Sequence, residues 1–133
     1  GMYWQMDDSQ PQDNLRCQLK VQADGCFELA TIRPRPYLVP TDGPVGELLR
    51  VSHRDAWRPA HFHIIVEAPG YRSLITEVFD EADPWVEKDA VFGVRASLVR
   101  PFTPASDATT ASRMGLPAQY LSVALPIQLA RED

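Results

Sequence analysis

The sequence lacks any apolar run approaching the length of a membrane span, and no signal peptide precedes Tyr3, so no membrane partner is expected. Positive charge is not in excess either. A net charge of -5 and a pI near 5.1 leave no basic footprint for nucleic acid. Cysteine is scarce, with Cys17 and Cys26 alone. Asp24-Gly25 closes an expected hairpin whose register sets Ala23 opposite Cys26 and carries Cys17 far down the ladder, out of bridging range. Reduced thiols and a cytoplasmic location are the expectation that follows. Internal repeats and a sustained helical period are also missing. Seven glycines stand against twelve prolines, which favours many turns and few long helices. What remains is a chain of 133 residues, 44% hydrophobic and 23% charged, read as one compact domain over residues 1–133 with a single core.

Gly1 reads as an expression scar before a natural start at Met2. Residues 6–14 are polar and aperiodic, a loop. Residues 16–21 and 26–32 alternate Leu19, Val21, Phe27 and Leu29 with polar neighbours, the pattern of a hairpin. Residues 33–40 carry Pro34, Pro36 and Pro40, whose missing amide donors rule out a central strand. Tyr37 is thus held by rigid neighbours in an extended segment. Residues 41–44 form a turn, and 45–51 carry a short strand or a single helical turn. Further strands are expected over 73–80 and 92–102, with a closing strand over 120–129 interrupted by Pro126. Residues 81–89 read as an acidic loop and 103–114 as a small-residue loop. Short strands with turn signals between them predict an all-β sandwich.

The chemistry concentrates in Arg58-Pro59-Ala60-His61-Phe62-His63-Ile64-Ile65-Val66. Strand alternation puts His61, His63 and Ile65 on one face and Phe62, Ile64 and Val66 on the other. Two imidazoles two residues apart on one face can meet a single metal ion. Imidazole suits iron, copper, nickel and zinc alike, so the pair alone does not choose the metal. By itself the pair also suits a solvated strand face.

Longer motifs decide between these readings. Arg33-Pro-x-Pro-Tyr37-x-x-Pro-Thr-Asp-Gly-Pro-Val-Gly46, followed by Trp57-Arg-Pro-Ala-His-x-His63, resembles the signature of intradiol ring-cleavage dioxygenases, the catechol, hydroxyquinol and chlorocatechol 1,2-dioxygenases. Ala68-Pro-Gly-Tyr71, Asp83-Pro84 and Asp89-Ala-Val-Phe-Gly-Val94 extend the likeness, the last towards the hydroxyquinol branch. The resemblance implies a non-haem Fe(III) held by Tyr3, Tyr37, His61 and His63, with a small aromatic diol and dioxygen as substrates and a muconate-type product. Phenolates are hard anionic donors that favour ferric iron, and imidazoles complete the site without further charge. Tyr37 corresponds to the tyrosine that the incoming diol displaces. Arg58 corresponds to the arginine that stabilises negative charge developing on the substrate. Glu77 stands where the family commonly carries glutamine, and its charge would oppose a dianionic substrate unless Arg58 pairs with it or it stays protonated. His53, Tyr71 and Tyr120 are read as a turn residue and two packing residues.

Family members also carry an N-terminal helical segment, which forms their dimer interface and one pocket wall, and opening strands ahead of the first tyrosine. Neither is found before Tyr3. The resemblance therefore predicts a sandwich with an uncovered apolar face, and a homodimer as the remedy. The alternative is a non-catalytic β-sandwich relative that binds a metal or a small phenol, or serves as an accessory subunit.

Overall fold

The computed structural model describes residues 7–132, so the expected ligand Tyr3 lies outside the described residues. Strands outnumber helices, in keeping with a β-rich fold. The chain divides into two compact units, one of residues 1–33 with 105–120, the other of residues 34–104 with 121–133. No helix among the described residues is long and apolar enough to cross a membrane.

The second unit holds every described candidate residue of the site. Strand β1 (Tyr37–Leu38) pairs antiparallel with β2 (Trp57–Arg58), setting Tyr37 opposite Arg58. Between them lies helix α1 (Pro44–Val51), entered through Gly43 with proline in the first turn, where a missing amide costs nothing. The expectation for this segment left open a strand or one helical turn, and the helix runs to eight residues. Its Gly46 packs so close to Thr41 that a Cβ there would lie 2.0 Å from the Thr41 carbonyl oxygen.

Pro59 ends β2, and the chain re-enters as β3 (His61–Val66), which pairs antiparallel with β4 (Leu74–Asp80) in the register His61↔Phe79, His63↔Glu77, Ile65↔Ile75. Both strands fall where the alternation predicted them. Val78, Phe79, Pro59 and Ala60 form the buried centre of this unit. Trp57 stacks on Trp85 with ring centroids 5.3 Å apart, and Asp83 Oδ2 accepts from the Ala60 amide at 3.1 Å, so the loop after β4 clamps the β2–β3 turn.

Several expected strands are shorter than predicted. Of residues 92–102, Val99–Arg100 alone form a strand, β5, parallel to the end of β4, with a 3₁₀ turn over Ala96–Leu98 before it. The closing strand reduces to β7 (Tyr120–Ser122), paired with β6 (Thr103–Ala105), plus a bridge between Tyr71 and Arg131. Pro126 accounts for the break, since it cannot donate to a ladder. The supposed loop over 103–114 contains α2 (Ala108–Met114), capped by the Asp107 side chain on the Thr110 amide at 2.7 Å and stopped by Gly115 at φ 64°. Its composition concealed the helix, because a seven-residue segment spans too few turns to display a period.

In the first unit, Gly25 (φ 80°) makes the expected turn, and the Gln22 amide donates to the Cys26 carbonyl. That bond replaces the predicted Ala23–Cys26 register, and neither flank forms a strand. Leu19, Val21, Phe27 and Leu29 are exposed, and a two-stranded hairpin that buries none of its apolar face is marginal in water. Cys17 and Cys26 are free, as expected. Glu28 is held by a two-armed ion pair with Arg113 of α2.

The close approach at Gly46 generates a stability prediction. Gly46→Ala forces a methyl into backbone atoms of Thr41 that cannot swing away. It is expected to destabilise the protein by about 3 kcal/mol. Thermal denaturation checks this, and an unchanged midpoint would show that the Thr41 turn yields freely.

Candidate metal centre

Local structure brings the predicted residues together from four strands. Tyr37 and Arg58 are cross-strand neighbours on β1 and β2. His61 and His63 share a face of β3, with Glu77 directly opposite His63 on β4. His61 Nε2 lies 3.2 Å from His63 Nε2. The ring of Tyr37 stands 5.7 Å from that of His61, centroid to centroid. Tyr37, His61, His63, Arg58 and Glu77 thus form one cluster. His53 lies outside it, exposed at the end of α1 with φ 52°.

The two histidines differ in how firmly they are held. Of the His61 side chain only 3% is exposed, whereas the His63 side chain is 67% exposed. His61 packs on Phe79 and Tyr37, and its Nδ1–H donates to the Pro59 carbonyl at 2.6 Å. That bond fixes the tautomer and leaves the lone pair on Nε2, facing His63. Burial pushes the His61 imidazole below its ordinary range, and the nearby Arg58 charge adds to this against the pull of the Pro59 hydrogen bond. A neutral imidazole with its lone pair on Nε2 is the form that binds a metal, and Arg58 Nη1 faces that nitrogen at 3.2 Å.

Arg58 is the centre of the polar network. Its Nη1 and Nη2 donate to Glu77 Oε1 and Oε2 at 3.0 and 2.8 Å, a fork-to-fork pair. Its Nε and Nη2 donate to Asp89 Oδ1 and Oδ2 at 3.1 and 3.4 Å, and Nη1 also lies 3.2 Å from His61 Nε2. Burial works against the guanidinium charge, but the hydrogen bonds it donates to Glu77 and Asp89 outweigh it and keep the cation firmly protonated. Burial likewise works against both carboxylates, and Arg58 overrides it in each, holding Glu77 and Asp89 below the usual carboxylate range. The electrostatic difficulty raised by Glu77 is met by pairing with Arg58. One cation between two carboxylates leaves the cluster formally negative, which favours an incoming metal cation.

Asp89 was not singled out from the sequence, although it opens one of the quoted motifs. Its Oδ2 accepts from the Gly93 amide at 2.8 Å and its Oδ1 from the Val91 amide at 3.3 Å, so one buried carboxylate ties both the 89–93 loop and Arg58. Gly93 belongs to the same construction. A Cβ there would meet Arg58 Nη2 and Glu77 Oε2 at 3.0 Å and Asp89 Oδ2 at 3.1 Å. The available signal was the aspartate followed at short spacing by glycine, the pattern of a side chain that binds its own loop.

The match to known proteins accords with this geometry. Residues 1–129 match the family described as Dioxygenase, and the chain belongs to that family. It is similar to a 6-chlorohydroxyquinol 1,2-dioxygenase of Cupriavidus pinatubonensis, 50% identical over 91 residues that make up 68% of this chain and 33% of the relative. A hydroxyquinol 1,2-dioxygenase of a Rhizobium species is 44% identical over 80% of this chain and 36% of its own length. Among solved structures, a hydroxyquinol 1,2-dioxygenase from Pseudomonas putida DLL-E4 superposes with a TM-score of 0.89 at 43% identity, over 99% of this chain and 46% of that one. The chain therefore spans between a third and a half of the length of these relatives.

The buried Arg58–Asp89 pair gives a prediction outside the donor set. Asp89→Ala leaves Arg58 one carboxylate short and unties the 89–93 loop, and is expected to cost about 3 kcal/mol. The pH dependence has a definite sign. Asp89 is depressed in the folded protein, so its contribution is complete above the unfolded carboxylate range near pH 4 and is lost as pH falls through the lower folded value. Denaturation as a function of pH should show a weaker acid-side loss in Asp89→Asn than in the native chain. Equal acid slopes would mean that the pair does not form in solution.

Proposed function

We propose that this chain forms the metal-binding β-sandwich portion of an intradiol ring-cleavage dioxygenase that acts on catechol or hydroxyquinol. The observation that carries the reading is the pair of imidazole nitrogens 3.2 Å apart, with the Arg58 guanidinium 3.2 Å from one of them. The single family match runs through both compact units, which supports one functional domain over the whole chain.

The donor set fits non-haem Fe(III): the imidazoles of His61 and His63 on one face of β3 and the Tyr37 phenol beside His61, with Tyr3 as the fourth ligand by analogy. Bound iron would supply a Lewis-acid anchor for both diol oxygens and the route by which dioxygen reacts with the ring, opening it between the hydroxylated carbons. The chain's own residues do the rest. The Pro59 carbonyl holds His61 in its ligating tautomer. Tyr37 would be a ligand of the metal and the group that accepts one of the diol's protons. Arg58 keeps a fixed positive charge against the reacting face, where a preorganised cation costs no reorganisation as negative charge builds on the substrate. Glu77 and Asp89 orient that cation.

The exposed Leu19, Val21, Phe27 and Leu29 support a homodimer. Covering a few hundred Å² of such surface is worth several kcal/mol at about 25 cal/mol per Å². Light scattering at micromolar concentration should give twice the chain mass, and a sharp, cooperatively melting monomer would contradict the dimer.

Oxygen uptake and product spectra after iron loading test the activity, with catechol and hydroxyquinol compared. Arg58→Leu would strand two carboxylates, so Arg58→Lys is the cleaner variant: it keeps the charge and loses the fork. It is expected to retain iron but lower the cleavage rate on the order of a hundredfold. Unchanged turnover would remove Arg58 from the chemistry, and a native chain that takes up iron but no oxygen would favour the non-catalytic reading.

A further inference from the structure

The cluster contains more donors than two imidazoles and a phenol. His61, His63 and Glu77 each offer one ligand atom, and the three atoms lie within 4.8 Å of one another. Glu77 Oε1 is 3.8 Å from His61 Nε2 and 3.5 Å from His63 Nδ1. Donors bound to one first-row cation at about 2.1 Å sit about 3 Å apart when adjacent, so small side-chain rotations bring these three to a common centre. We propose that Glu77 completes a two-histidine, one-carboxylate site with His61 and His63, able to hold a divalent first-row cation without either tyrosine. The inference rests on the metal-centre reading for the position of the cation, but not on ferric iron or ring cleavage.

Three features of the cluster carry it. The register puts Glu77 directly across from His63 on the same face of the β3–β4 pair, so all three side chains leave the sheet on one side. Each carboxylate oxygen has two lone pairs, so Oε1 can keep the 3.0 Å bond from Arg58 Nη1 and still reach a cation. If Oε1 turns away from Arg58, Asp89 retains the guanidinium through Nε and Nη2. His63, largely exposed, is free to turn its ring so that either nitrogen ligates. Two imidazoles and one carboxylate on one face leave the remaining positions of an octahedral cation open, the arrangement typical of non-haem divalent iron sites. The negative formal charge of the Arg58–Glu77–Asp89 cluster favours a dication there.

Cobalt(II) is the probe, titrated calorimetrically into the full chain and followed by its visible spectrum. The native chain should bind one ion. Glu77→Gln should lose at least about tenfold in affinity, while Tyr37→Phe should stay within about twofold of native. Equal affinity in folded Glu77→Gln, or a loss in Tyr37→Phe as large as in Glu77→Gln, would overturn the proposal. If circular dichroism shows that Glu77→Gln does not fold, Glu77→Asp decides the matter, because it keeps the charge and draws the donor back by one methylene. A weakened cobalt affinity in Glu77→Asp supports Glu77 as a ligand, and a native affinity overturns it. Ferric loading separates this site from the reading above. A tyrosinate charge-transfer band that survives in Glu77→Gln alongside lost cobalt affinity supports both, whereas no band in the native chain contradicts only the ferric-tyrosinate assignment.

Discussion

The guanidinium of Arg58, shared between Glu77 and Asp89, is the interaction on which the rest of the site depends. It is a buried cation, and removing it would strand two carboxylates, which is far more costly than the net worth of the intact pairs. The constraint reaches outward in three directions. Through Asp89 it fixes the loop to Gly93, where the lack of a side chain lets the backbone lie against the ion pair. Through Glu77 it joins β2 to β4, and through its contact with His61 it sets the polarity of the donor face.

The same network explains how a carboxylate can stand beside a centre proposed to receive an anionic diol. Glu77 is ionised and paired with Arg58 rather than protonated, since the Arg58 hydrogen bonds hold its carboxyl below the usual range against the effect of burial. Pro59 has a comparable double role. It ends β2 and so aims Arg58 inward, and its carbonyl holds the His61 ring. A short dipeptide thereby links the buried guanidinium to the orientation of the His61 ring.

Much of this was legible in the sequence because it rests on strand periodicity. The two-residue alternation of β3 put His61 and His63 on one face, the family resemblance pointed to Glu77, and the proline-rich segment placed Tyr37 outside a central strand. Elements that depend on distant packing were not legible. The 92–102 segment has strand-like residues, yet most of it is drawn into a 3₁₀ turn and the loop tied by Asp89. The flanks of the Asp24-Gly25 turn alternate well but leave their apolar side chains exposed, so alternation alone did not make strands. Helix α2 was hidden by its length, and Asp89 by the habit of reading acidic loops as solvated. Its role appears only once Arg58 is seen to be buried against it.

X-ray absorption at the iron edge of the ferric-loaded chain tests the central claim most directly, because it reports the donors themselves and not the activity. Two imidazoles leave outer-shell multiple-scattering features, and these should weaken by about half in His63→Gln. An iron environment of oxygen donors alone, unchanged by His63→Gln, would contradict a centre built on His61 and His63.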